Sequence, residues 1–192
     1  MIRSIKYLTI YILAMVLFAC NSSDKKSNPN ESLKPVQRVV AVNSNWNKLS
    51  LPEVSIEYPK EWTLDTTGAN ETLFILISQK MDSLDQFSAT LNLFSEPIGE
   101  ARLSTYVEAS EKAIQGFMKN SLLRKSKDTL IQGKPFHLVQ FVAESDGRNL
   151  IFDQWYTIQN QTAYVLTYNC EEEEYGVMDA LATKVIQSMQ LK

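Results

Sequence analysis

Three apolar runs separated by two turn signals occupy residues 133–170 and constrain the fold more than any other stretch. Within each run, β-branched and aromatic residues alternate with a period of two, which is typical of strands. The turn signals are Asp146-Gly147 and the polar triplet at residues 159–161. Large apolar side chains occupy both parities, so the pattern predicts an antiparallel three-stranded meander that other elements cover on both faces.

The first 19 residues have the order of an export signal. Arg3 and Lys6 form a basic start, and the apolar run at 7–18 is too short for a comfortable membrane span. The segment ends in Leu-Phe-Ala-Cys, which resembles a bacterial lipobox, so we predict that Cys20 is lipidated and becomes the mature N-terminus. An ordinary secretory signal, or a short membrane anchor with an incidental cysteine, is the alternative.

Composition divides the remaining chain into a tether and one domain. Residues 21–34 are almost entirely polar, so we expect 20–44 to form a lipidated N-terminus and a disordered tether, with residues 36–42 as an edge strand or extended chain. Residues 45–192 then form a single domain. Removal of residues 1–19 changes the formal charge from −3 to −5. This mild acidity, without a large Lys/Arg cluster, argues against nucleic acid as a partner.

Strand and helix signals fill the rest of the domain. Strands are predicted at residues 54–58, 62–65, 73–77, 89–94 and 122–131, with a polar loop at 81–86. A turn at 59–62 is expected to join the first two strands, and the apolar run at 73–77 indicates a central strand buried on both faces. The charged strand at 122–131 is typical of a sheet edge. Amphipathic helices are predicted at 103–118, with a capping box at 105–108, and at 172–189.

The order of several segments resembles PsbP-like domains. The matching segments are Ser-Ile-Glu-Tyr-Pro-Lys-Glu-Trp at 55–62, Ile-Gln-Gly at 131–133, Ala-Tyr-Val-Leu-Thr-Tyr at 163–168 and Ile-Gln-Ser-Met at 186–189. The resemblance covers about residues 46–192 and implies an α+β fold, an α/β/α sandwich around a largely antiparallel sheet with helices on both faces. The best-known members are extrinsic photosystem II subunits that help retain calcium and chloride. Many relatives are small bacterial lipoproteins without assigned activity, which the chain is more similar to, and no photosynthetic binding residue is carried over.

The side chains that support most enzyme chemistry are scarce. His137 is the only histidine, which excludes a multi-histidine zinc site, and we expect it to be structural or solvent-facing. A Ser-His-Asp triad stays open because such triads are assembled in space, although nothing in the sequence indicates one. With Cys20 acylated, Cys170 is the last free thiol, and we expect a small buried hydrophobe rather than a reactive thiol or intermolecular bridge.

Two acidic features could contact a cation. The four consecutive glutamates at 171–174 precede the last helix, where negative charge is favourable, so a solvated first turn is expected and a calcium or partner contact is the alternative. Asp146-Gly147 has the composition of a tight hairpin and lacks the alternating ligands of a calcium loop. We therefore predict no catalytic, cofactor-binding or metal site, and no cofactor.

These patterns favour a non-enzymatic, lipid-anchored protein of the bacterial cell envelope, most simply at the outer membrane on its periplasmic or surface side. Its expected contacts are the membrane, through the N-terminal lipid, and another envelope protein that the domain binds or helps assemble. The alternative function is a carrier of a small ligand or metal ion in a pocket between sheet and helix. An enzyme is disfavoured because paired acid and base groups are not apparent.

Overall fold

The computed structural model describes residues 46–80 and 87–192. Two helices are present there, α1 (Leu103–Phe117) and α2 (Tyr175–Gln187), and short 3-10 turns cover Ala69–Glu71 and Glu172–Glu174. The strands are β1 (Trp46–Ser50), β2 (Val54–Pro59), β3 (Thr63–Asp65), β4 (Thr72–Ile77), β5 (Thr90–Pro97), β6 (Leu122–Ile131), β7 (Lys134–Ser145), β8 (Arg148–Gln159), β9 (Thr162–Glu171) and β10 (Gln190–Leu191). Cys20 and the predicted tether, strand 36–42 and loop 81–86 lie outside the described residues.

The main sheet has seven antiparallel strands in the order β3-β4-β5-β9-β8-β7-β6. The predicted meander forms β7, β8 and β9, and β6 is an edge strand as expected. Both β7–β8 and β8–β9 are joined by two-residue turns in which both residues have positive φ, Asp146-Gly147 and Asn160-Gln161. This conformation matches the right-handed twist of paired strands, which explains the Asp-Gly signal.

Apolar layers lie on both faces of this sheet, as the α+β sandwich requires. On one face, α2 and a small sheet of order β1-β2-β10 enclose the larger core, in which Phe74, Leu91, Leu166 and Tyr168 are almost completely buried. On the other face, α1 packs mainly against β6, β7 and β8 over Val139, Phe141 and Val165. No helix of the described residues is long and apolar enough to cross a membrane.

The prediction that 73–77 is a central strand buried on both faces is wrong. This stretch lies in β4, second from the sheet edge, and only the alternate residues Thr72, Phe74 and Leu76 are buried. Ile75 is half-buried because α1 packs mainly over β6–β8, toward the opposite edge of the sheet. The sequence run is apolar on both parities, but the tertiary structure buries only one of them.

Three local predictions are also corrected. The turn at 59–62 does not return β2 onto β3, since β2 pairs with β1 and β10 in the small sheet while β3 pairs with β4. Helix α1 begins before the predicted capping box, with Arg102 at the N-cap and no side-chain cap, because the apolar helical face already starts at Leu103. The last helix is shorter than predicted, and its first three residues form the 3-10 turn.

Candidate functional site

His137 lies on β7 opposite Asp128 of the edge strand β6. Its Nδ1 is 2.8 Å from Asp128 Oδ1, and its Nε2 is 2.9 Å from Ser126 Oγ. With an Nδ1–H donating to Asp128, Nε2 is free to accept the Ser126 hydroxyl proton. The connectivity is therefore that of a serine hydrolase triad, although no sequence motif predicted it.

Exposure argues that this arrangement is structural. The Asp128 side chain is 93% exposed, whereas that of His137 is 20% exposed. A triad aspartate is buried, since only a desolvated carboxylate strongly stabilises the imidazolium, and a fully solvated one is screened by water. Ser126 is also exposed on the outermost strand of the sheet. We interpret the three side chains as a hydrogen-bonded group that links β6 to β7, in agreement with the structural role predicted for His137.

A second polar cluster is buried beneath α2. Asp153 of β8 is 3% exposed, and its two oxygens accept hydrogen bonds from Gln140 Nε2 and Tyr175 OH, each at 2.7 Å. Burial raises the pKa of the Asp153 carboxyl, against the opposing effect of these two donors. The cluster ties the first turn of α2 to the middle of the sheet. In the sequence, Gln140 of β7 and Asp153 of β8 are polar residues at strand positions where the residues two places before and after are apolar.

Cys170 is completely buried in the core between the sheet and α2. Burial raises the pKa of its thiol to about 12, so the sulfur stays protonated at neutral pH. This environment supports the predicted role as a small buried hydrophobe.

The acidic run at 171–174 leads into α2, and arginines meet two of its glutamates. Arg148 Nε is 3.2 Å from Glu171 Oε1, and Arg124 forms an ion pair with Glu172. In the part of the chain that the structure describes, no three His, Cys, Asp or Glu side chains are grouped closely enough to hold a metal ion. The negative charge of this segment before α2 is thus partly neutralised by the two arginines.

An exposed apolar corner joins α1 to β6. Phe117 ends the helix and is 50% exposed, while Leu122 begins the strand and is 60% exposed. The connection between them is fixed to Glu144, whose side chain pairs with Lys119 and accepts a 2.8 Å hydrogen bond from Asn120 Nδ2. The backbone N–H of Glu144 donates to the Lys119 carbonyl at 2.9 Å. Two exposed apolar side chains therefore flank a connection that is held by Glu144. We call residues 117–122 the α1–β6 corner.

A cleft of about 270 Å³ opens between the β6–β7 turn and the segment after α2. Its lining consists of Ile131, Gln132, Lys134, Phe136, Met189, Gln190 and Leu191. Ile131, Phe136 and Met189 are buried apolar residues, whereas Lys134 and the two glutamines are exposed. This cleft lies beside the C-terminal end of α2, and its lining includes no residue of α1 or α2, so it differs from the pocket between sheet and helix expected for a small-ligand carrier.

No family model matches the chain, and no curated protein matches its sequence. Solved structures do share its fold. LpqN of Mycobacterium tuberculosis, described as involved in cell envelope biogenesis, is 10% identical with a TM-score of 0.56 over 78% of this chain and 92% of LpqN. Cyanobacterial PsbP from Synechocystis is 12% identical with a TM-score of 0.53 over 83% of this chain and all of that protein.

The Ran-binding protein Mog1p of Saccharomyces cerevisiae is also similar, at 8% identity and a TM-score of 0.51 over 77% of this chain and 96% of that protein. At such low identities the similarity concerns the fold alone, and these proteins differ in their described roles. The chain therefore has a PsbP-like α+β sandwich fold.

Proposed function

We propose that this protein is a membrane-anchored envelope lipoprotein whose PsbP-like domain binds another envelope protein without catalysing a reaction. The α1–β6 corner is the observation that carries the binding role. Aromatic residues such as Phe117 are enriched at protein interfaces, and the adjoining Leu122 enlarges the exposed apolar surface. Because the connection is already braced on Glu144, little conformational entropy is lost when a partner encloses Phe117 and Leu122.

The strand edge itself is a poor docking site. β6 carries Arg124, Lys125 and Lys127, and a register irregularity separates Leu123 from Lys125. Charged side chains and bulges are the features that keep an edge strand from pairing with another chain. The partner is therefore expected to bind the corner through an apolar pocket rather than extend the sheet.

Membrane anchoring rests on the lipobox-like residues 17–20. Replacement of Cys20 by Ser should abolish fatty-acid labelling and release the protein from the membrane fraction, because no thiol is left for acylation at that position. Labelling that persists in the variant would contradict the proposal. Protease treatment of intact cells, with and without permeabilisation, would separate a surface location from a periplasmic one.

The binding role is tested by crosslinking in intact cells, followed by purification of the tagged full chain. Replacing both Phe117 and Leu122 with Ser should remove the crosslinked partner. Leu130 provides a matched control, since it is also 60% exposed and lies at the other end of β6. Loss of the partner with Leu130→Ser, or its retention in the double variant, would contradict the assignment of the corner.

The second candidate function is a small-ligand carrier, which the cleft beside Met189 favours. It does not depend on the α1–β6 corner. A small molecule that copurifies with the chain would support it, whereas a protein that crosslinks to the corner would support the first candidate.

A further inference from the structure

The cleft beside Met189 combines a cation held by hydrogen bonds with the small exposed edges of Ile131, Phe136 and Met189, each at most 3% exposed. Lys134 Nζ donates a 2.9 Å hydrogen bond to Gln159 Oε1 and a 2.8 Å hydrogen bond to the Leu191 carbonyl. These contacts hold the ammonium in place and use two of its three donors. Both acceptors are neutral, and no ion pair of the described residues includes Lys134. One donor of the ammonium is therefore available to an anion, and no described ion pair neutralises its charge.

The chain around the cleft is held by side-chain contacts to the backbone. Gln132 Nε2 donates to the Gln187 carbonyl and Gln159 Nε2 to the Lys192 carbonyl, while the ammonium of Lys134 bonds to that of Leu191. The segment after α2 is thus fixed against the ends of β7 and β8. A site that is formed before its ligand arrives loses little affinity to reorganisation.

We propose that this cleft binds a small carboxylate with an apolar body. The carboxylate accepts a charge-assisted hydrogen bond from Lys134, and the apolar body lies over Ile131, Phe136 and Met189. The volume of about 270 Å³ is at the lower limit of pockets that enclose drug-sized molecules, which restricts the ligand to a short chain or a single ring. The inference specifies the ligand class of the second candidate function and does not rest on the corner.

The test uses the full chain labelled with ¹³C at its methionine methyl groups and titrated with hexanoate. Met189 is on the floor of the cleft, whereas Met118 packs in the opposite core and serves as an internal reference. We expect a saturable shift of the Met189 methyl resonance with no change at Met118. 1-Hexanol, which has the same apolar chain without the charge, should bind at least tenfold more weakly.

Three variants isolate the role of the cation. Lys134→Gln keeps a donor for the Leu191 carbonyl but removes the charge, and it should weaken hexanoate binding at least tenfold. Lys134→Arg should restore binding, and Lys127→Gln, which removes an exposed charge elsewhere on β6, should leave it unchanged. The proposal is overturned by the absence of a saturable Met189 shift, by equal binding of 1-hexanol, or by unchanged binding in Lys134→Gln. None of these results bears on the proposed corner.

Discussion

Two aspartates, one on β8 and one on β6 on either side of β7 in the main sheet, each hold a hydrogen-bonded cluster, yet their environments are opposite. Asp153 is 3% exposed and accepts from Gln140 and Tyr175 between the sheet and α2. Asp128 has a side chain that is 93% exposed and accepts from His137 at the sheet edge. The comparison shows that the connectivity of a hydrogen-bonded cluster does not decide how much the cluster contributes to stability. Desolvation decides it, because water replaces lost bonds only at the exposed site.

The largest effect is expected for Asp153→Ala. The substitution leaves Gln140 Nε2 and Tyr175 OH without their carboxylate acceptor beneath α2, where water does not readily replace it. Gln140 Nε2 still donates to Tyr175 OH at 2.9 Å, and the loss of the buried acceptor for the remaining donors typically costs about 1–3 kcal/mol of unfolding free energy. Denaturant unfolding of the variant and the wild type measures the difference. A loss no larger than that of Asp128→Ala would show that the buried cluster does not anchor α2.

The pH dependence of stability sharpens the same comparison. Burial raises the pKa of Asp153 above its value in the unfolded chain, near 3.8, so the folded state binds more protons between the two pKa values. Its contribution to stability is therefore greatest below the unfolded pKa and decreases as pH rises through the folded pKa. We expect the unfolding free energy of Asp153→Asn, relative to wild type, to increase over that window. A relative stability that is independent of pH would contradict the raised pKa.

A smaller effect is expected for Asp128→Ala at the exposed cluster. Surface substitutions without buried partners usually change the unfolding free energy by less than about 0.5 kcal/mol.

The structural interpretation also predicts that Ser126 does not react with a fluorophosphonate probe. Labelling that is lost in both Ser126→Ala and His137→Gln would show instead that the three residues form an active nucleophile.

No effect is expected from calcium at the acidic run. Arg148 and Arg124 already pair with Glu171 and Glu172, so the four glutamates do not present an unneutralised set of ligands. Millimolar calcium should leave the melting temperature of the wild type unchanged, because only a bound ion stabilises the native state. A rise that disappears when Glu172 and Glu173 are replaced by Gln would assign an ion site to this turn.

Local patterns were reliable where the chain interacts with its near neighbours. The alternating runs and turn residues predicted β7, β8 and β9, because a two-residue turn with positive φ fixes the pairing of adjacent strands. Amphipathic periodicity likewise predicted α1 and α2. The capping box failed because the pattern at 105–108 lies inside a helix that begins at Leu103.

The candidate sites were less predictable, since each joins residues that are distant in sequence. Gln140, Asp153 and Tyr175 meet only when α2 packs on the sheet, and Lys134 reaches the Leu191 carbonyl only when the chain returns after α2. A polar residue at a strand position flanked by apolar residues of the same face was a usable signal for the Asp153 cluster. No comparable sequence pattern indicated the cleft, because its lining comes from two separate segments and neither contains a recognisable binding motif.

The sequence by itself determined the strand meander and the two amphipathic helices, because side-chain periodicity and turn conformation are local properties of the chain. The sandwich class was implied by the resemblance to PsbP-like domains. Only the tertiary structure decided that β2 joins a separate small sheet, that β4 is buried on one parity, and that Asp153 is desolvated while Asp128 is exposed. These outcomes depend on which surfaces cover one another. Burial is a property of the assembled layers, and a linear pattern does not specify it.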